Sequence, residues 1–354
     1  MTKRHLTYLA CTAAIVGTGL AAAPSAPSAD HRSVHRVNPG ESIQKAVDAA
    51  EPGDTVLVAP GTYKESVRIT DSGVTLRGSG AGRTVLVPGT GKDACATAGN
   101  GVCVTGTDDK PLEDVSVRSL TLRGFEKNGL WATRTEGFEV RGVSAEKNGQ
   151  WGIAQERSVR SVVSHNVAED NGDAGLFVSN TTDTEEGARD ADGTVIRHNR
   201  MTGNRIGVTV RRLRNLSVER NEATGNCAAV FVVGDESEPR AGALSVTRNH
   251  IHANNKHCAA TPRLPFLQGS GIVLTGAEDT VVARNRVEDN RGTSPLSGGI
   301  VLFKSFVGAV NERNDIRDNL VTGNSPADLA NRDTAGANTF RGNTCTLSEP
   351  AGLC

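Results

Sequence analysis

The chain has 354 residues, of which only 3% are aromatic against 40 glycines, and asparagine recurs along it at regular intervals. That composition excludes a globule centred on large aromatic side chains and suits many short strands joined by tight turns. With a formal net charge of −1 and no long Lys/Arg block, the sequence carries no electrostatic footprint for nucleic acid or an anionic membrane, and neither partner is expected.

The chain opens on a segment with the pattern of a secretory leader. Lys3 and Arg4 supply its positive charge, residues 6–20 an apolar run too short to span a bilayer, and residues 21–29 the small side chains suited to cleavage. Tyr8 sits where a lipoprotein signal would need Leu before Cys11. The expectation is therefore a leader over 1–29, a secreted protein without membrane anchor, and one domain over 30–354. Next, Ser42 is placed to cap a short helix in which Ile43, Ala46, Val47 and Ala50 share a face, followed by strands over 55–58, 67–69, 74–76 and 85–87.

Beyond this entry the sequence repeats. Asn128, Asn148, Asn171, Asn204, Asn226, Asn254, Asn290 and Asn324 align with an apolar residue eight positions earlier, from Leu120 and Val140 to Ile316. A second apolar column lies three positions earlier, from Phe125 and Ala145 to Val321, and the last six copies add Asn166, Asn199, Asn221, Asn249, Asn285 and Asn319. Helical repeats are excluded because these copies carry Asn and Gly where helix interiors need good helix formers. Asparagine tolerates the left-handed backbone of tight turns and can bond to its counterpart in the next coil, so these residues read as structural. After each marker a strand opens on Gly or Ala, at Gly129, Gly152, Gly175, Gly207, Ala229, Gly271 and Gly299, and alternation sends Leu130, Ile153, Leu176, Val208, Val230, Ile272 and Ile300 inward. The predicted fold is all-β, a right-handed parallel β-helix of coils about two dozen residues long with insertions, behind a short N-terminal capping helix.

Cys95, Cys103, Cys227, Cys258, Cys345 and Cys354 remain after the leader, an even number suited to an oxidising compartment. Chain order favours Cys95–Cys103, Cys227–Cys258 and Cys345–Cys354, and the middle pair sits just past equivalent markers of adjacent coils. A zinc site would need a CxxC that is absent.

The opening SIQKAVDAAEPGDTVLVAPGTYKESVRITDSGVTLRGSG over residues 42–80, together with the N-x-apolar-x-x-N-G-apolar units, resembles the pectate-lyase-like superfamily of right-handed parallel β-helices. Similar repeats occur in the copper-site maturation proteins of nitrous oxide reductase. The resemblance implies an extracellular polysaccharide as partner, bound or processed in a lyase- or epimerase-like reaction on an acidic glycan. A non-catalytic glycan-binding solenoid and a copper-delivery protein are the alternatives. The DPHD, WIDH, RxPxxR, QDT and LGRPW elements of the enzymes in this group are absent, so no family site can be carried over.

Candidate residues therefore come from the outward positions of the Gly-initiated strands. One outward column holds Trp131, Phe177 and Phe231, the next Glu156, Arg211 and Phe303. Either sugar rings stack on these aromatics or long loops cover them. Arg211 and Arg212 suit neutralisation of a sugar carboxylate, Lys304 or Glu156 suits a base, Glu156 with Asp235 could form a hydrolytic pair, and Arg134 lies beside them. The acidic insertion over residues 181–193 offers Asp183, Glu185, Glu186 and Asp190 as ligands for calcium, against the reading of a solvated loop. His250 and His252, with His257, are the copper candidates against a structural role in polar turns. A monomer is expected.

Overall fold

The computed structural model describes residues 32–333 and 337–354, so the expected leader lies outside the described residues. Each coil lays down three strands, as in Val162–Ser164, Val167–Glu169 and Ala174–Ser179. Stacking of the coils assembles them into parallel sheets of 12, 10 and 11 strands, with a 2-stranded sheet at one side. The capping helix is present at Ile43–Asp48, where Ser42 accepts from the Lys45 N–H at 3.3 Å and Ile43 and Val47 are buried. The three expected disulfides are formed.

Alternation fills the interior. Val140, Val163, Ile196, Val218, Val246, Val282 and Ile316 stack in register along the first sheet, and Ala145, Ala168, Met201, Ala223, Ile251, Val287 and Val321 along the second. Leu130, Ile153, Leu176, Val208, Val230, Ile272 and Ile300 complete the core from the third, and all of these residues are buried.

Two details differ from the sequence expectation. Val140 pairs with Val117 and Ala145 with Leu122, so the first copy was placed three residues too far along, on Leu120 and Phe125. The cause is Phe125, which stands where later coils have the marker asparagine: its N–H donates to Asn148 Oδ1 at 3.1 Å, as the Asn148 N–H does to Asn171. Asn128, which imitates the marker, bonds back to Asn100 at 2.9 Å instead. Nor do the marker asparagines take the left-handed backbone themselves. That conformation falls on the residue before each, as at Asp170, Gly203 and Gly225, or His165, His198 and Arg220.

The asparagines act through their side chains. From Asn148 through Asn171, Asn204, Asn226, Asn254 and Asn290 to Asn324, each Nδ2 donates to the next Oδ1 at 2.8–3.1 Å. A second ladder from Asn166 to Asn343 repeats this at 2.9–3.0 Å. Asn221 shows why no other side chain substitutes. Its Oδ1 accepts from the N–H and Nδ2 of Asn199, and its Nδ2 donates to Asn249 Oδ1 and the Ile196 carbonyl, so all four bonding sites of a buried amide are filled. Asn221→Ala should therefore lower the unfolding free energy by about 2–4 kcal/mol in urea denaturation, because two buried donors of Asn199 lose their acceptor.

At the entry, Asp54 fastens the first strand to the helix–strand link. Its carboxylate meets the His35 ring at 2.9 Å and the Ser33 and Glu51 N–H groups at 2.7 and 3.0 Å. The His35 bond first, then the two backbone donors, hold its pKa at about 2, below the ordinary 3.8. A depressed carboxylate stabilises the fold above its unfolded pKa and ceases to do so as pH falls through the folded value. Asp54→Asn should lower the melting temperature at neutral pH, and the gap from wild type should close between about pH 4 and pH 2.

Candidate functional site

The outward face of the third sheet forms the floor of a groove of about 1000 Å³ that crosses coils from Arg68 to the loop carrying Phe306. Its walls are the insertions. On one side lie the turns around Cys95, Gln150 and Asp173 and the loop bearing Arg263 and Leu264; on the other lie residues 182–185 and 305–307. The Cys227–Cys258 disulfide and an antiparallel bridge between Cys258 and Leu267 hold the Arg263 loop in place. Strand-opening glycines let the coils close up beneath it: a Cβ on Gly152 would come within 2.6 Å of the Gly175 carbonyl.

The two outward columns stack in the predicted register, Trp131–Ala154–Phe177–Thr209–Phe231 and Thr133–Glu156–Ser179–Arg211–Val233. Their aromatics meet a mixed fate. Phe231 borders the groove yet keeps 1% exposure, because Leu267 and Leu264 join it in a second apolar cluster with Val273 and Val301. Trp151, in the turn before its strand, completes a stack that sequence alternation missed: its ring lies 5.7 Å from Trp131 and 4.0 Å from Phe177, nearly parallel to both. The inner ring faces are thus closed against one another, so a ligand meets edges of the stack and the half-exposed Trp131. Phe303 is half-buried against Phe306 at 5.6 Å, and Lys304 is exposed; neither is among the groove-lining residues.

The charged candidates separate by partner. Arg212 and Asp235 are buried and ion-paired with each other, and Arg212 also reaches Glu185 and the Thr184 carbonyl, so this pair anchors the acidic insertion. Arg211, one residue earlier and on the strand, turns outward into the groove, and its guanidinium has no hydrogen bond or ion pair with any described residue. Burial, then the neighbouring Arg212 and Arg263, push its pKa down against the raising effect of Glu185 and Asp235. Beside it, the buried Thr209 and Ser179 hydroxyl oxygens have no partner either.

Glu156 accepts from the Thr182 N–H at 3.2 Å and from its hydroxyl at 3.5 Å, and makes no ion pair with a described residue. Asp173, on the facing wall, was not singled out from sequence, since it lies in a turn outside both periodic registers. Burial pushes its carboxyl above the ordinary range, against the lowering effects of the Trp151 Nε1–H bond at 3.1 Å and of Arg205 at 4.0 Å. One signal pointed here: Trp151 is one of only two tryptophans in the chain.

The other candidates lie elsewhere. Arg134 borders a separate hollow of about 60 Å³ and pairs with Asp108 at 2.7 Å. Asp183 lines the groove, Glu185 turns to Arg212, Glu186 to Arg157, and Asp190 accepts from the Asp192 N–H and from Asn215. Among the described residues no three Asp, Glu, His or Cys side chains converge as a metal site would require. His250 and His252 stack on each other at 4.4 Å and lean on Glu288 and Glu222.

The arginines should part in their effect on stability. Arg212→Ala should destabilise the fold by about 3–5 kcal/mol, because it leaves Asp235 buried without a counter-charge, while Arg211→Ala should leave the melting temperature unchanged or raised.

The description of a right-handed β-helix region matches residues 72–242 and 188–352. No curated protein matches the sequence. Among solved structures, DFA-IIIase from Arthrobacter chlorophenolicus A6 is 13% identical with a TM-score of 0.60, covering 90% of this chain and 87% of that one. The A-module of mannuronan C-5 epimerase AlgE4 from Azotobacter vinelandii is 18% identical with a TM-score of 0.56, covering 87% and 90%. An alginate lyase from Paenibacillus sp. str. FPU-7 is 13% identical with a TM-score of 0.50, covering 90% and 99%. At these identities the likeness is one of fold. With the family description spanning most of its length, the chain belongs to the right-handed β-helix proteins.

Proposed function

We propose that this is an exported protein whose groove binds an acidic polysaccharide and acts on it as a lyase or C5-epimerase. The observation that carries the reading is Arg211, an unpaired and half-buried guanidinium on the groove floor beside two buried hydroxyl oxygens that lack partners. Such a group is matched by the carboxylate of a uronate, which would fill its bidentate face. Neutralising that carboxylate acidifies the C5 proton, and Glu156, which makes no ion pair with a described residue, serves as the base. Asp173, held toward its neutral form, supplies a proton. In a lyase the C5–H electron pair forms the C4–C5 double bond as the C4–O bond breaks, and that oxygen takes the proton; in an epimerase C5 is reprotonated from the other face. Three disulfides fit the oxidising compartment that such a substrate implies. Two proteins sharing the fold are named for work on mannuronan and alginate.

A second reading, a glycan-binding solenoid without turnover, draws on Arg212 and Asp235 being engaged with each other rather than available to a substrate.

Polygalacturonate, alginate and glycosaminoglycans, each with and without calcium, should be followed by unsaturated-uronate absorbance and proton NMR. We expect turnover of at least one, reduced about 10²–10³-fold in Arg211→Ala. Asp173→Asn should lower kcat while retaining binding. Retention of a glycan without chemical change would favour the second reading, and no retention of any would remove both.

A further inference from the structure

From the coil that begins at Ser116 onward, insertions fall beside the third sheet. Between the first and second sheets the link is five residues at 79–83 but two in every coil from Ser116 to Thr322, as in Ser164 to Val167, Arg197 to Arg200, Glu219 to Glu222, Thr247 to His250 and Ala283 to Arg286. The second residue of each of these links is a ladder asparagine. The first has left-handed backbone, and in five successive coils it is His165, His198, Arg220, Arg248 and Arg284, with φ between 53° and 57°.

Left-handed backbone disfavours such side chains, and Gly, Asn or Asp would be the ordinary choice. The equivalent turn on the other edge of the second sheet mostly follows that rule, with Asp170, Gly203, Gly225, Asp289 and Gly323. The first edge instead accepts five rungs of His and Arg in an unbroken row. At about 4.8 Å per coil the row runs for about 19 Å.

These five side chains are exposed, and Arg197 and Arg200 flank them. None of the guanidinium groups of Arg197, Arg200, Arg220, Arg248 and Arg284 has an ion pair or hydrogen bond with a described residue. The nearby carboxylates are Glu219, across the strand from Arg197 and without an ion pair to a described residue, and Glu222 and Glu288, which are turned to His252 and to Arg286 and His250. Adjacent cations push the His165 pKa down after burial has done so, which marks the same excess of positive charge. Asp318, paired with Arg317, ends the row. A protein with net charge −1 thus carries a ridge with an excess of basic side chains on the corner opposite its groove.

We infer that this ridge is a second binding surface, for an anionic polysaccharide lying along the solenoid axis. A single row matches an extended chain rather than a plane. The disulfides place the chain among extracellular polymers rather than nucleic acids.

The test uses an Arg211→Ala background, which removes from the groove the cation on which its proposed function rests. Binding of polygalacturonate and heparin is measured at about 50 mM salt, with dextran as neutral control and duplex DNA as competitor. The background protein should bind both acidic glycans and not dextran. Adding Arg220→Asn, Arg248→Asn and Arg284→Asn should weaken binding at least about tenfold and flatten its salt dependence by about three counter-ions. The melting temperature should hold or rise, because Asn accepts the left-handed backbone. Arg197→Gln with Arg200→Gln, at strand positions, should give a smaller loss in the same direction. Undiminished binding in both sets, or no binding by the background protein, overturns the ridge; duplex DNA binding tighter through the same residues overturns the glycan assignment. Loss of turnover or of groove binding alone would count against the groove reading and leave the ridge standing.

Discussion

The structure depends on one constraint: a buried primary amide must have its two donors and two acceptor sites filled, and in this solenoid the partners are the same amide and the backbone of the coils above and below. The Asn199–Asn221–Asn249 run shows the result, with each Oδ1 receiving an N–H and an Nδ2–H from the preceding coil. Backbone hydrogen bonds between parallel strands tolerate a one-residue slip, but a side-chain amide does not. The ladders therefore fix the register of the coils, and the register fixes which residues face the groove.

This explains how much was legible in the sequence. Apolar residues and asparagines at fixed offsets could be read because the ladder forces them to recur, and seven of the eight copies fall where alternation places them. The first copy fails for a chemical reason. Phe125 occupies a ladder position using only its backbone N–H, so the side chain that marks the register elsewhere is missing, and Asn128–Gly129 imitates it three residues later. The turn chemistry was misplaced by one residue because the asparagine is needed for its side chain, while the unusual backbone falls on its predecessor.

The candidate site was legible only where it lies on strands. Glu156, Arg211, Trp131 and Phe177 were found because period-two alternation points them outward. Trp151, Asp173 and Arg263 sit on turns and insertions, where no period applies. Arg211 and Arg212 looked equivalent from sequence, yet consecutive residues at the end of a strand diverge. The first stays on the pleat and faces the groove; the second, with φ of 52°, turns into the acidic insertion and is consumed there. That a long loop covers the outward aromatics was one of two readings open in the sequence, and at Phe231 loop 255–269 is that cover. The ridge was invisible for another reason: its members are 22 to 36 residues apart in the chain, and composition reports only their sum.

The two-residue link in the coils that carry the amide ladders has a consequence for how such a protein can change. An added residue at that corner would break an amide ladder and shift every later coil, whereas residues added at either edge of the third sheet lengthen a wall and leave the stack untouched. The solenoid thus divides into a face closed to insertion and a face open to it. Walls exchanged between related solenoids at the second kind of position, such as 180–188 or 255–269, would meet an unaltered floor, so ligand preference can drift in length and charge without the fold being renegotiated.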